Sequence, residues 1–96
     1  MVAVRTIKPF PLGEVVATRG ALAAIEEAGQ SPLEFLLRHL AGDWGEACAG
    51  DWALNDEAVD AGERLLSAYR TRKGERIWVI TECDRSATTL LLPDEY

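Results

Sequence analysis

The fold class is set by residues 76–82, which read Arg76-Ile77-Trp78-Val79-Ile80-Thr81-Glu82. Five consecutive β-branched or aromatic residues favour a strand over a helix. Because side chains alternate along a strand, Ile77, Val79 and Thr81 share one face, and Trp78 and Ile80 share the other. Both faces are rich in apolar side chains, which predicts a strand with packing material on each side.

The segments on either side of this strand predict two further strands. Residues 65–70 predict the strand before it, and Gly74 lies in the intervening hairpin loop at the position that needs a positive φ. Residues 88–92 predict the strand after it, which Pro93 ends. We therefore expect a three-stranded antiparallel β-meander over residues 64–92.

The chain before the meander predicts helices. Thr18 is a typical N-cap for a helix that runs to about Ala28. Residues 31–34 form a capping-box pattern with proline at the first helical position. Residues 46–54 predict a third helix, followed by a second or continued turn that Asn55 caps and Gly62 ends. The leucines of the second helix share one face, which we expect to be buried: Leu33, Leu36, Leu37 and Leu40.

These predictions combine into one α+β domain over residues 1–96. Residues 1–17 form an extended lead-in, in which Glu14-Val15-Val16-Ala17 is a candidate short strand. N-terminal helices in residues 18–63 pack on the C-terminal β-meander of residues 64–92, with the lead-in or a partner over the other face of the sheet. A chain of 96 residues buries roughly 60–70% of its unfolded surface, which is enough for one core.

The chain also lacks membrane and export signals. The longest apolar cluster, Trp78-Val79-Ile80, has the length of a strand, whereas a membrane helix needs roughly 20 apolar residues. The N-terminus does not show the pattern of a signal peptide. We therefore expect a cytoplasmic protein with no membrane contact.

Charge is distributed unevenly along the chain. The formal net charge is −6, and residues 40–63 contain seven acids but no lysine or arginine. Residues 64–76 instead carry five bases and one acid. A negative chain is poor in the cations that bind phosphate backbones, so we expect no direct nucleic-acid binding. We call the seven acids the acidic segment: Asp43, Glu46, Asp51, Asp56, Glu57, Asp60 and Glu63.

The acidic segment has three interpretations. It can be a solvated helix surface, or the bases of residues 64–76 can fold back and neutralise it. The sharper interpretation is a recognition surface for a protein partner with a basic surface, on which carboxylates imitate the phosphates of a nucleic acid.

No catalytic or metal-binding set is recognisable in the sequence. Cys48, Cys83 and His39 are too few for a zinc site built from cysteine and histidine. The acidic segment lacks the ligand rhythm and central glycine of a calcium loop, and no serine lies in a nucleophile elbow. We expect no metal, no cofactor and no catalytic activity. We interpret His39 as a structural residue, favoured by the dipole at a helix C-terminus.

A tryptophan and a polar turn form a second candidate site. Trp44 lies between glycines, where it can pin the exit of the second helix against the sheet or line a small-ligand site; we favour the pin. Asp84, Arg85 and Ser86 can supply polar groups to such a site, although ordinary turn hydrogen bonds explain them more simply. Trp52 and Trp78 are expected in the core.

Several stretches stand out as a set: Pro11-Leu12-Gly13, Gly42-Asp43-Trp44-Gly45, Arg64-Leu65-Leu66-Ser67-Ala68-Tyr69, Ile77-Trp78-Val79-Ile80-Thr81-Glu82 with Asp84-Arg85-Ser86, and Leu91-Leu92-Pro93. Together they resemble a family of small bacterial proteins, labelled plasmid-related or hypothetical, that are carried on plasmids and integrative elements. The resemblance implies a cargo gene of mobile DNA in a bacterial cytoplasm. Because no established activity belongs to that family, no functional residue transfers from it.

The sequence therefore predicts a small acidic non-enzymatic interaction protein of a bacterial mobile genetic element. Its most concrete form is an inhibitor of a host defence nuclease. One alternative is a small-ligand-binding or enzyme-like protein with its site near Trp44 and the turn at residues 84–86. The other is a structural homodimer formed through the uncovered face of the sheet.

Overall fold

The computed structural model describes residues 7–96, so the first six residues of the predicted lead-in lie outside the described part of the chain. The described residues form three α-helices and a four-stranded sheet, which confirms the α+β class. In chain order the elements are β1 (Glu14–Ala17), α1 (Arg19–Glu27), α2 (Pro32–Leu40), α3 (Ala49–Ala61), β2 (Leu65–Arg70), β3 (Arg76–Thr81), β4 (Ala87–Leu91) and a 3₁₀ turn (Pro93–Glu95).

The sheet is mixed, with strand order β1-β4-β3-β2. β3 pairs antiparallel with both β2 and β4, while β1 pairs parallel with β4. The prediction of a three-stranded antiparallel sheet is therefore wrong, although the candidate strand at Glu14–Ala17 is confirmed. The physical reason is the edge of β4, whose backbone groups would remain unpaired if β1 did not join it.

The predicted helix caps are largely confirmed. The Thr18 hydroxyl accepts a hydrogen bond from the Ala21 N–H at 3.1 Å, and the Ser31 hydroxyl accepts one from the Leu33 N–H at 3.2 Å. The reciprocal capping box is wrong, because the Glu34 carboxylate accepts instead from the side chain of Gln30.

The buried face of α2 differs from the predicted leucine stripe. Phe35, Leu36 and His39 are buried, whereas Leu33 and Leu37 are 58% and 55% exposed. The helix is rotated so that the larger ring of Phe35 packs against Tyr69 on the sheet. The predicted stripe is therefore confirmed for Leu36, which is buried, and for Leu40, which packs half-buried against the core, and it is wrong for Leu33 and Leu37.

The third helix runs without a break through Asn55 to Ala61, so the predicted cap at Asn55 is wrong. Asn55 is buried within α3, and its side chain bonds to the backbone of a neighbouring strand instead of capping a helix. Gly62 follows the helix with φ 70°, in the left-handed conformation that glycine adopts most readily.

Two packed clusters lie on one side of the sheet, which we call the inner face. Ile77, Val79 and Thr81 are buried on the inner face with the helices, as the predicted alternation requires, and Ile80 on the opposite face is buried as well. Trp78 projects from the opposite, open face, where it is half-buried against Tyr96. The expectation that Trp78 belongs to the core is wrong, while Trp52 packs half-buried against the second cluster.

Within residues 7–96, no helix has both the length and the apolar character that crossing a membrane requires.

Candidate functional site

The segment that precedes α3 covers the outer edge of β2. Gly45 forms a parallel bridge to Ala68. The Ala68 N–H donates to the Trp44 carbonyl at 3.1 Å, and the Glu46 N–H donates to the Ala68 carbonyl at 2.6 Å. Gly45 has φ 72°, and a Cβ at this position would collide with the Ala68 carbonyl oxygen. Glycine is therefore required here for the segment to pair with this strand edge.

Trp44 fixes α3 to the core. Its side chain has no exposed surface, and its indole N–H donates to Oδ1 of Asp56 at 2.9 Å. The indole ring stacks on Phe10 with centroids 6.5 Å apart and meets the His39 ring edge-on at 5.4 Å. Asp56, a member of the acidic segment, thus holds the one polar atom of a buried tryptophan.

Asn55 joins α3 to the sheet by a second route. Its side-chain amide donates to the Leu66 carbonyl at 2.8 Å, and its side-chain oxygen accepts from the Leu66 N–H at 3.2 Å. The side chain thereby satisfies both backbone groups of an edge-strand residue, as another strand would.

Arg85 binds the C-terminal end of α3. Its guanidinium donates to the carbonyls of Ala58 at 3.0 Å, Glu63 at 2.6 Å and Glu82 at 3.1 Å. A cation at this end of a helix is favoured by the helix dipole. Arg85 itself has φ 60°, a strained value for a residue other than glycine, and these three bonds hold it there.

The turn that contains Arg85 follows the predicted turn chemistry. Oδ1 of Asp84 accepts from the Ser86 N–H at 3.0 Å. Hydrogen bonds from Ser86 hold the pKa of the Asp84 carboxyl below its ordinary value. Asp84 and Ser86 are exposed, whereas the Arg85 guanidinium lies 5.8 Å from the centroid of the Phe10 ring. The structure thus brings Arg85 and Trp44 to the same phenylalanine, and both are packed into the fold.

His39 is the centre of a buried polar chain. Its Nδ1 lies 2.5 Å from the Ser67 hydroxyl and its Nε2 lies 2.9 Å from the Thr81 hydroxyl. The chain continues from Thr81 to Thr88 at 2.8 Å, and the Thr88 hydroxyl donates to the Leu12 carbonyl at 2.7 Å. It therefore connects α2, the three antiparallel strands and the lead-in.

The imidazole of His39 is neutral at pH 7. Burial, with a smaller contribution from the positive charge of Arg85, lowers its pKa to about 4. The structural interpretation of this histidine is retained, but attraction to the helix dipole is not its cause. Within the described residues, every buried side-chain nitrogen and oxygen has a hydrogen-bond partner.

The structure divides the acidic segment into two groups. The first group is engaged with the fold. The Asp43 carboxylate accepts from Arg38 Nε at 2.7 Å and from the Gly45 N–H at 3.0 Å. Both carboxylate oxygens of Glu46 lie 2.9 Å from Nε of Arg70. Asp56 holds the Trp44 indole, as described above.

The second group, which we call the outer acids, consists of Asp51, Glu57, Asp60 and Glu63. All four are exposed. Within the described part of the chain, their carboxylates form no hydrogen bond and no ion pair. The predicted neutralisation by residues 64–76 thus extends to Glu46 through Arg70, and it does not extend to the outer acids.

Two of the four outer acids lie where the helix dipole disfavours them, whereas Asp51 lies in the first turn of α3, where the dipole favours a carboxylate. Asp60 is in the last turn of α3 and Glu63 follows its end, and that last turn contains no basic residue. The negative end of the helix dipole repels carboxylates at both positions, and the Arg85 guanidinium, bound to carbonyls at this end, reduces that repulsion without pairing with either carboxylate. Asp56 and Asp60 are also four residues apart, so their like charges are neighbours on the helix surface.

Within residues 7–96, no three side chains of histidine, cysteine, aspartate or glutamate lie close enough together to hold a metal ion.

Comparison of the chain with protein-family models, with curated proteins and with solved structures finds no match. The function must therefore be inferred from the geometry of the residues themselves.

Proposed function

We propose that the chain is a non-enzymatic interaction protein that binds a basic protein surface through the outer acids on α3. The observation that carries this proposal is the division of the acidic segment. Three of its acids support the fold, and four are exposed and form no hydrogen bond or ion pair within residues 7–96.

Energetics distinguishes this proposal from a merely solvated helix face. Charges of the wrong sign near a helix end typically destabilise by about 0.3–1 kcal/mol each. Like charges four residues apart add about 0.2–0.5 kcal/mol. A helix surface that only needed to be soluble could carry lysine or arginine at positions 60 and 63 and gain stability. A basic partner supplies the missing counter-charges.

The charge density of this surface is compatible with imitation of a nucleic acid. Glu57 and Asp60 place two carboxylates within about 4.5 Å of helix axis, given a rise of about 1.5 Å per residue. One strand of duplex DNA carries one phosphate per roughly 3.4 Å. A groove that binds DNA through lysine and arginine would therefore meet a comparable density of negative charge.

The most concrete form of the proposal is an inhibitor of a host defence nuclease, carried by a bacterial mobile element and acting in the cytoplasm. The support for this context is the resemblance of the motifs, above all Gly42-Asp43-Trp44-Gly45, to plasmid-borne proteins. The outer acids would occupy the nuclease groove in place of the substrate phosphates.

The small-ligand alternative is less favoured by the contacts. Trp44 has no exposed surface to offer a ligand. Three hydrogen bonds of the Arg85 guanidinium already go to backbone carbonyls. A ligand that bound to these two side chains would have to replace contacts that hold the fold together.

The test is capture of partners from a bacterial lysate with three baits, followed by mass spectrometry. The first bait is the wild-type chain. The second carries Glu57→Gln, Asp60→Asn and Glu63→Gln. The third is a matched control with Glu26→Gln, Glu27→Gln and Glu75→Gln, which removes the same charge from exposed positions elsewhere. Asp56 is left unchanged because it holds Trp44.

The proposal expects a basic protein, foremost a nuclease, that the wild-type and control baits retain and the outer-acid variant loses. Equal retention by all three baits would contradict it, as would equal loss from both variants, which would indicate attraction to net charge alone.

A further inference from the structure

The polar chain centred on His39 contains as many hydrogens as hydrogen bonds. The side chains of His39, Ser67, Thr81 and Thr88 have no exposed surface, and the chain ends at the main-chain carbonyl of Leu12. Three hydroxyl groups and one neutral imidazole supply one hydrogen each to the four bonds. Because no hydrogen is spare, the donor of every bond can be deduced.

The direction of the chain follows from its Leu12 end. A carbonyl oxygen can only accept, so the Thr88 hydroxyl donates its single hydrogen to Leu12. The donor in the 2.8 Å contact between Thr81 and Thr88 is therefore Thr81. Thr81 then has no hydrogen left for His39, so Nε2 of the imidazole carries the hydrogen of their 2.9 Å bond. A neutral imidazole has one N–H, so Nδ1 is unprotonated and accepts from the Ser67 hydroxyl.

We infer that this chain is a one-way hydrogen-bond relay, in which the docked Leu12 carbonyl holds His39 in the tautomer with its hydrogen on Nε2. The relay is a conformational device, because it couples the position of the lead-in beside β4 to the state of a ring on α2, three hydrogen bonds away. None of its members is an outer acid, so the relay is independent of the proposed function.

The opposite tautomer would break the relay at two places. With the hydrogen on Nδ1, His39 would donate to Ser67, and Nε2 would need the hydrogen of Thr81. The oxygens of Thr81 and Thr88 would then face each other at 2.8 Å with no hydrogen between them, and the Ser67 hydrogen would have no acceptor in the relay. Because buried polar groups without partners are costly, the hydrogen on Nε2 should be favoured at least about tenfold.

Contacts outside the relay hold the Leu12 carbonyl in place. The next residue, Gly13, has φ 66°, and a Cβ at this position would collide with the carbonyl oxygens of Arg85 and Ser86. The Glu14 N–H donates to the Ser86 carbonyl at 3.0 Å, where the pairing of β1 with β4 begins. The acceptor that gives the relay its direction is therefore positioned by the docking of β1, and the tautomer of the histidine reports on that docking.

Long-range proton–nitrogen NMR correlation of the imidazole at pH 7 measures the tautomer directly, because His39 is the only histidine. The wild-type chain should carry the hydrogen on Nε2 in at least about tenfold excess. Thr88→Val removes the hydroxyl that sets the direction. Either direction of the remaining bonds from Ser67 through His39 to Thr81 then leaves one hydroxyl hydrogen unused, so the two tautomers should come within about threefold of each other.

Two further variants serve as controls. Thr88→Ser keeps the hydroxyl and should keep the wild-type tautomer. Thr89→Val makes the same change at the next position of β4, on the opposite face of the sheet and outside the relay, and should also leave the tautomer unchanged. A wild-type imidazole with its hydrogen on Nδ1 would overturn the inference, whether or not Thr88→Val folds. A folded Thr88→Val variant that kept the full preference for Nε2 would overturn it as well.

Discussion

The buried and outer sides of α3 present the same kind of residue with opposite relations to the fold. On the buried side, the buried Asn55 satisfies both backbone groups of Leu66, and Asp56, itself exposed, reaches inward to accept the indole hydrogen bond of Trp44. On the outer side, Glu57 and Asp60 have no intramolecular partner among residues 7–96. The comparison shows that the hydrogen-bond partner of a carboxylate decides whether it supports the fold or is available for recognition. Its place in the charge pattern of the sequence does not decide this.

Trp44→Ala should cause the largest loss of stability, because it removes the contacts that hold the buried side of α3. The substitution leaves a cavity among Phe10 and His39 and removes the partner of Asp56, so we expect the free energy of unfolding to fall by about 3–5 kcal/mol. Urea denaturation followed by circular dichroism measures the loss. A loss below about 1 kcal/mol would show that Trp44 does not hold α3 to the core.

Low pH should lower the free energy of unfolding through His39, which contacts Trp44 in the core. Its pKa is about 4 in the folded chain and 6.5 when unfolded, so the unfolded state binds the extra proton first as the pH falls. The stability that this group supplies is complete above pH 6.5 and is lost progressively towards pH 4. The integrated loss is about 3 kcal/mol.

Two measurements check this pH dependence. Since His39 is the only histidine, its ring resonances in an NMR titration report the folded pKa without ambiguity. Denaturation at several pH values between 7 and 4 reports the linked stability, with His39→Gln as the variant that lacks this titration. A folded pKa near 6.5 would contradict the assignment of a buried neutral imidazole.

Substitutions on the outer side of α3 should raise the free energy of unfolding instead of lowering it. Neutralising Glu57, Asp60 and Glu63 together removes unfavourable charge near the helix C-terminus, so we expect the free energy of unfolding to rise by about 0.3–1 kcal/mol. Asp56→Asn, a neutralisation one residue from Glu57, weakens a charged hydrogen bond and should instead lower it by about 1 kcal/mol. Both are measured by denaturation at low salt. A loss of stability in the triple variant would show that the outer acids have structural partners.

The sequence predicted the features that depend on local chemistry. The cap at Thr18, the proline at the start of α2 and the turn glycine at position 74 all appear as expected, because each depends on residues within one turn. The alternation along β3 was also predictable, since a strand places successive residues on opposite faces.

What the sequence could not predict depends on contacts between distant residues. The parallel pairing of β1 with β4 joins segments more than 70 residues apart, and no local pattern encodes it. The exposure of Leu33 and Leu37 was not predicted, because the larger side chain of Phe35 occupies the core in their place. The division of the acidic segment was hidden because the indole of Trp44 selects Asp56 over the adjacent Glu57 only in three dimensions.

The most direct test of the central claim is the salt dependence of affinity for the partner captured with the wild-type bait. Dissociation constants are measured by calorimetry between about 50 and 200 mM salt for the wild-type chain and for the variant with Glu57→Gln, Asp60→Asn and Glu63→Gln. We predict that the wild-type affinity falls steeply with salt, and that the variant binds at least about tenfold more weakly at low salt, with a shallower dependence. Equal affinities and equal salt dependences for the two chains would contradict the proposal that the outer acids are the recognition surface.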